Sequence, residues 1–123
     1  MRLNQQLAKA LGFTDTRAHK YRAKRTELDG ITFPSLKEAG RYAELVMLEQ
    51  AGAISHLEVD AHTAIRYPLV VNGFKVCDYR PDFRYRERGQ VVCEDTKGFQ
   101  TPVFQLKAKL FRALYTDTEL RIT

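Results

Sequence analysis

Apolar positions recur along this chain in two periods, and the switches between them outline a fold. Leu3, Leu7 and Leu11 stand at helical spacing with Gly12 behind them, which predicts a short N-terminal helix. "TELDGITF" predicts a tight hairpin, because Asp29-Gly30 supplies the left-handed backbone of a two-residue loop. Helical spacing returns in "PSLKEAGRYAELVMLEQAG", where Ser35 is the expected N-cap, Glu38 completes a capping box and Gly52 ends the helix. Leu36, Ala39, Ala43, Val46 and Gln50 trace its predicted inner face, widened by Leu45, Met47 and Leu48. Residues 54–71 read as extended, and Asn72-Gly73 marks a second hairpin between "LVV" and "FKV".

Residues 79–99, "YRPDFRYRERGQVVCEDTKGF", read as two more strands, 79–86 and 91–97, around a loop at 87–90. Thr101-Pro102 then opens a second helix as N-cap and first helical residue. Its predicted buried stripe is Val103, Leu106, Leu110 and Leu114, with Gln105, Lys109 and Arg112 on another face. "ELRIT" predicts a last strand. Strands, helix, strands, helix, strand is the order of an α/β or α+β domain with a mixed sheet.

The 123 residues suffice for one domain with one modest core, so the chain divides into an N-terminal helix and arm, residues 1–25, and a main domain, residues 26–123. No apolar run approaches a membrane span, and the N-terminus lacks the apolar centre of a signal peptide, so a cytoplasmic protein is expected. Cys77 and Cys93 make no disulfide framework, and no CxxC is present for zinc. His19, His56 and His62 lack metal-ligand spacing.

Charge changes the picture more than composition does. The net charge is +5, and "RAHKYRAKR" carries Arg17, Lys20, Arg22, Lys24 and Arg25 with no acid. Outside that segment the basic and acidic residues balance at 15 each. A basic arm with Tyr21 interleaved suits a phosphate backbone, and a solvated linker is the bland alternative.

Asp82, Asp95 and Lys97 are unusual tenants of a strand pair. Pairing Arg86 with Val91 sets Asp82 directly across from Asp95, and alternation puts Lys97 on the same face. Opposed Cβ atoms lie about 4.5–5.5 Å apart, so two carboxylates there repel. A divalent cation relieves the repulsion, since Mg²⁺ prefers hard carboxylate oxygens. Pro81 cannot donate to a sheet ladder and predicts an edge or bulge that re-aims Asp82.

Pro81-Asp82 followed by Asp95-Thr96-Lys97 resembles the signature of the PD-(D/E)XK, or restriction-endonuclease-like, nucleases. The wider string "KYRAKRTELDGITFPSLKEAGRYAEL…PDFRY…EDTKGF…VFQLKAKLF" resembles a small phage and prophage family (domain of unknown function 1064) related to Holliday-junction resolvases. The resemblance implies a restriction-endonuclease-like core, a central mixed sheet flanked by helices, and Mg²⁺, with Mn²⁺ as a substitute. It implies Asp82, Asp95 and the Thr96 carbonyl as metal ligands, Lys97 as the catalytic lysine, and Glu38 as the helix glutamate pointing at the metal. It adds Gln105, Lys107 and Lys109 to the arm, Arg17 to Arg25 with Tyr21, as candidate DNA contacts. The implied activity is endonucleolytic hydrolysis of DNA, duplex or branched, including recombination intermediates. A symmetric homodimer is expected, because cutting two strands needs two sites. The alternative is a nucleic-acid-binding module of the same fold without catalysis.

Overall fold

The computed structural model describes residues 25–123. The predicted N-terminal helix and all of the basic arm except Arg25 lie outside the described residues. A hairpin of β1 (Thr26–Leu28) and β2 (Ile31–Phe33) leads into helix α1 (Leu36–Gln50). Strand β3 (Ser55–Val59) and the short helix α2 (Asp60–Thr63) follow. A second hairpin, β4 (Tyr67–Val71) and β5 (Phe74–Tyr79), precedes β6 (Phe83–Glu87) and β7 (Gln90–Asp95). Helix α3 (Pro102–Leu114) then crosses to β8 (Thr118–Ile122). The central sheet has the order β3-β6-β7-β8, antiparallel throughout except for the parallel pair β7–β8. The mixed sheet read from the sequence is therefore present.

The turns form where the sequence placed them. Asp29-Gly30 and Asn72-Gly73 both take positive φ, the condition for a tight hairpin turn. Arg88-Gly89 does the same, with φ of 53° and 79°. The loop expected at 87–90 is thus a two-residue turn, since Glu87 and Gln90 still pair. The strand expected at 79–86 is broken: β5 ends at Tyr79, Arg80 to Asp82 leave the ladder, and β6 begins at Phe83. Pro81 is the cause, because it has no N–H to donate and its ring is fully buried. The extended run expected at 54–71 is likewise interrupted, by α2 and by Ala64 at φ 54°.

Each face of the sheet carries its own core. On one side Phe33, Tyr42 and Leu45 pack against Phe83, Tyr85 and Val92. On the other, Phe104, Ala108 and Phe111 of α3 join Leu69, Tyr79, Cys93 and Leu120. The stripe predicted to be buried on α3 is corrected. Val103, Leu106 and Leu114 are exposed, and the helix buries the two phenylalanines and the small Ala108 instead. Both stripes fit helical spacing, and the wide aromatic surface offered by Tyr67, Tyr79 and Tyr115 around Phe111 decides between them. On α1, Gln50, Met47 and Leu48 are also exposed, while Tyr42 and Leu45 reach the core.

Glu94, on the α1 side of β7, has no exposed surface. Arg41 grips its carboxylate with Nε and Nη2, and the Tyr85 hydroxyl donates to it at 2.7 Å. A buried charge stripped of its partner is strongly destabilising. Arg41→Ala should therefore lower unfolding free energy by about 3 kcal/mol. Urea denaturation at neutral pH checks this, and Arg41→Lys should recover only part of the loss, because a single ammonium cannot replace the fork.

Candidate active site

The end of the sheet where β7 stops and β6 starts gathers the acids singled out in the sequence. The β6–β7 ladder ends at Phe83–Glu94, and its next step sets Asp82 against Asp95. The expected register holds. Asp82 is fixed by the far strand: its Oδ2 accepts from both the N–H and the hydroxyl of Thr96, each at 2.8 Å. Asp95 points to the α3 side of the sheet and is 1 % exposed. The Tyr79 hydroxyl donates to its Oδ2 at 2.6 Å. Its Oδ1 is buried with no hydrogen-bond partner. Lys97 Nζ stands 3.4 Å from that atom, an ion pair without hydrogen-bond geometry, and rests 4.7 Å over the Phe104 ring.

Glu38 belongs to this group. Ser35 caps α1 by accepting from the Glu38 N–H at 3.1 Å. The reciprocal half of the capping box is not made; the Glu38 carboxyl is buried and faces the two aspartates instead. Burial first, then the Asp82 and Asp95 charges, push its pKa up to about 7. Asp95 is pushed up to about 7 as well, by burial and then by the Asp82 charge. Tyr79 and Lys97 oppose that rise. The cluster is therefore three carboxyl groups that cannot all ionise without cost, with one lysine among them.

Backbone bonds hold the cluster in place. Thr123 N–H donates to Asp95 O and Lys97 N–H to Thr123 O, both at 2.9 Å, extending the β7–β8 contact past the strand end. Lys37 Nζ, from the first turn of α1, donates to the carbonyls of Lys97 and Thr123. At the rim, Asp60 accepts from Arg80 and from the Ile65 N–H. Tyr79 and Asp60 carried no signal in the sequence: they reach the site from other elements, and no local spacing links them to Asp95.

An open cleft of about 270 Å³ runs from Asp95 and Lys97 to the first turns of α3, lined also by Tyr79, Arg80, Val103 and Lys107. Lys107 thus borders the site, whereas Lys109 and Gln105 are exposed elsewhere on the helix. A larger cleft, 440 Å³, lies around His56, Tyr67 and Arg84. Its main charges are already satisfied, since Arg84 makes two hydrogen bonds to Glu58 and one to Tyr67.

The donors at the cluster are hard oxygens, and one of them, Asp95 Oδ1, lacks a partner; in type, the set suits a divalent cation such as Mg²⁺. As the side chains are placed, no three His, Cys, Asp or Glu groups among the described residues stand together at ligand spacing. Among them too, no helix is long and apolar enough to cross a membrane. The fold and site thus define a mixed-sheet α+β protein with a buried carboxylate–lysine cluster at one sheet end. The chain belongs to the family described as Protein of unknown function (DUF1064), whose model matches residues 18–123. No curated protein and no solved structure gives a significant match.

The raised carboxyl groups make stability depend on pH. Folded Glu38 and Asp95 hold protons that the unfolded chain releases between about pH 4 and 7. Their contribution is therefore lost as pH rises through that window, on the order of 1–3 kcal/mol by pH 8. Asp95→Asn keeps an acceptor for Tyr79 and removes the charge. It should melt higher than the parent at pH 8 and narrow the gap to pH 5. Thermal melts at the two pH values in chelator check this, and a lower melting point for Asp95→Asn at pH 8 would mark the charge as structural.

Proposed function

We propose that the protein is a divalent-metal-dependent endonuclease of the PD-(D/E)XK type that hydrolyses phosphodiester bonds in DNA. The observation that carries this reading is the convergence of Glu38, Asp82 and Asp95 on one sheet end with Lys97, where Asp95 Oδ1 is buried without a hydrogen bond. A purely structural cluster would be neutralised by protein partners, as Glu94 is. The mixed sheet with α1 on one face and α3 on the other supports a restriction-endonuclease-like core. Pro81-Asp82 lies just before one central strand, and Asp95-Thr96-Lys97 closes its neighbour.

Asp82, Asp95, Glu38 and the Thr96 carbonyl would hold Mg²⁺ or Mn²⁺. A bound ion supplies Lewis acidity toward the scissile phosphate and acidifies water. The chain's own groups do the rest. Tyr79 fixes the Asp95 carboxyl, and Thr96 fixes Asp82. Lys97, a third exposed beside Asp95, is placed to orient the attacking water or to offset charge developing on the phosphate. DNA reaches the site over a basic chain whose charge excess lies in residues 17–25, and two copies related by two-fold symmetry would address two strands. Work on intracellular DNA would place the protein in the cytoplasm of its cell. Branched and recombination-intermediate DNA belong among the substrates to be tried. A non-catalytic nucleic-acid-binding module of the same fold is the second reading, and the basic segment at residues 17–25 would serve it equally well.

Incubation with supercoiled, linear, single-stranded and four-way-junction DNA separates the two. Cleavage should require Mg²⁺ or Mn²⁺, stop in chelator, and fall by at least about a hundredfold in Asp82→Ala, Asp95→Asn and Lys97→Ala. Undiminished cutting by Asp95→Asn would sink the assignment. Replacing Arg17, Lys20, Arg22, Lys24 and Arg25 with Ser should flatten the slope of log affinity against log salt by up to about 4 units. Cleavage at saturating DNA should persist in that variant; unchanged salt dependence would remove the arm from the binding surface.

A further inference from the structure

Part of the surface of α3 that the core does not use is apolar. Val103 is 65 % and Leu106 61 % exposed, and Phe99, in the loop before the helix, is 77 % exposed. These are among the most exposed large hydrophobic side chains of the described residues, and they fall within eight consecutive positions. An apolar patch of this kind marks a contact surface, and its position indicates the occupant. Val103 lines the cleft that contains Asp95 and Lys97, and Leu106 stands one helical turn further out. Phe99 is two residues from Lys97, so chain connectivity keeps their Cα atoms within about 7.6 Å. Val103 and Phe99 thus bring these apolar positions to the edge of the candidate active site.

Charge narrows the choice. Residues 101–114 contain Lys107, Lys109 and Arg112 and no carboxylate. A second copy of the helix packed on this stripe would bring cations against cations, whereas an anionic strand is complementary to it. Within a continuous duplex the base faces are stacked on one another, and only edges and phosphates are offered outward. An unpaired strand exposes the faces, which lie favourably on aromatic and apolar side chains beside cations.

We propose that this surface receives an unpaired nucleic-acid strand entering or leaving the carboxylate cluster, with bases against Phe99, Val103 and Leu106 and phosphates near Lys107 and Arg80. The substrate is then nucleic acid with a single-stranded segment next to the cleaved bond. The inference rests on the nuclease reading for the position of that bond.

The test is fluorescence anisotropy in chelator with three labelled DNAs: a single strand, a blunt duplex, and the same duplex with a single-stranded extension. The triple variant Phe99→Ala, Val103→Ser, Leu106→Ser changes exposed positions, so its melting temperature should match the parent's. It should bind the single strand and the extended duplex about tenfold more weakly and leave the blunt duplex within about twofold. Phe99→Tyr, which keeps a stacking ring, should bind as the parent does. Equal losses on all three DNAs, or no loss on any, overturn the proposal. So does a parent dimer in sedimentation that the triple variant dissolves, since the patch would then be a subunit interface. Cleavage assays with Mg²⁺ keep the two readings apart. Cutting that needs Asp95 but ignores the triple variant removes this inference alone. Patch-dependent binding of unpaired DNA with no cutting supports it and removes the nuclease reading.

Discussion

Strand β7 buries two adjacent carboxylates, and the alternation of a β-strand obliges them to face opposite sides of the sheet. Each side treats its acid differently. On the α1 side Glu94 receives a forked arginine and a tyrosine hydroxyl, so every lone pair that matters is occupied. On the α3 side Asp95 receives one tyrosine hydroxyl and a lysine at arm's length, and one oxygen is left over. The same backbone thus carries a closed charge and an open one, one residue apart. The closed charge ties α1 to the sheet, and that tie brings Glu38 of the same helix to the open one.

The open side is over-determined geometrically and under-satisfied electrostatically. Thr96 anchors Asp82 by two hydrogen bonds, and Thr123 and Lys37 anchor the backbone from Asp95 to Lys97. None of these bonds neutralises the carboxylates. A protein that needed only stability at this position could have placed an arginine there, as it did one residue earlier. Holding like charges together in a rigid, buried frame raises carboxyl pKa values toward the neutral range.

Much of this was legible in the sequence, for reasons that can be named. Asn72-Gly73 and Asp29-Gly30 fixed two hairpins, because left-handed backbone is a local requirement with few residue solutions. Pairing Arg86 with Val91 gave the register that faces Asp82 to Asp95, since the turn and the strand alternation leave little freedom. The buried face of α3 was misread because Val103, Leu106 and Leu110 share a helical period with the true choice, Phe104, Ala108 and Phe111. Only the shape of the opposing surface distinguishes the two, and that surface is assembled from β4, β5 and β7. The dual demand on Glu38 also needed coordinates. A capping glutamate and a site glutamate have the same spacing from Ser35, and the direction of one side chain separates them. Tyr79 lay beyond sequence reasoning altogether, because its bond to Asp95 joins a hairpin to a strand outside it.

The hydrogen bonds of Thr123 have a consequence for the cluster. The residue gives its N–H to the Asp95 carbonyl and accepts the N–H of Lys97, so it stands beside the backbone of the cluster. Proline at position 123 would remove the donor to the Asp95 carbonyl while leaving the carbonyl that Lys37 and Lys97 hold, so the strand end would loosen on one side only. A disturbance at Thr123 would therefore reach Asp95 and Lys97 through the backbone without touching either side chain.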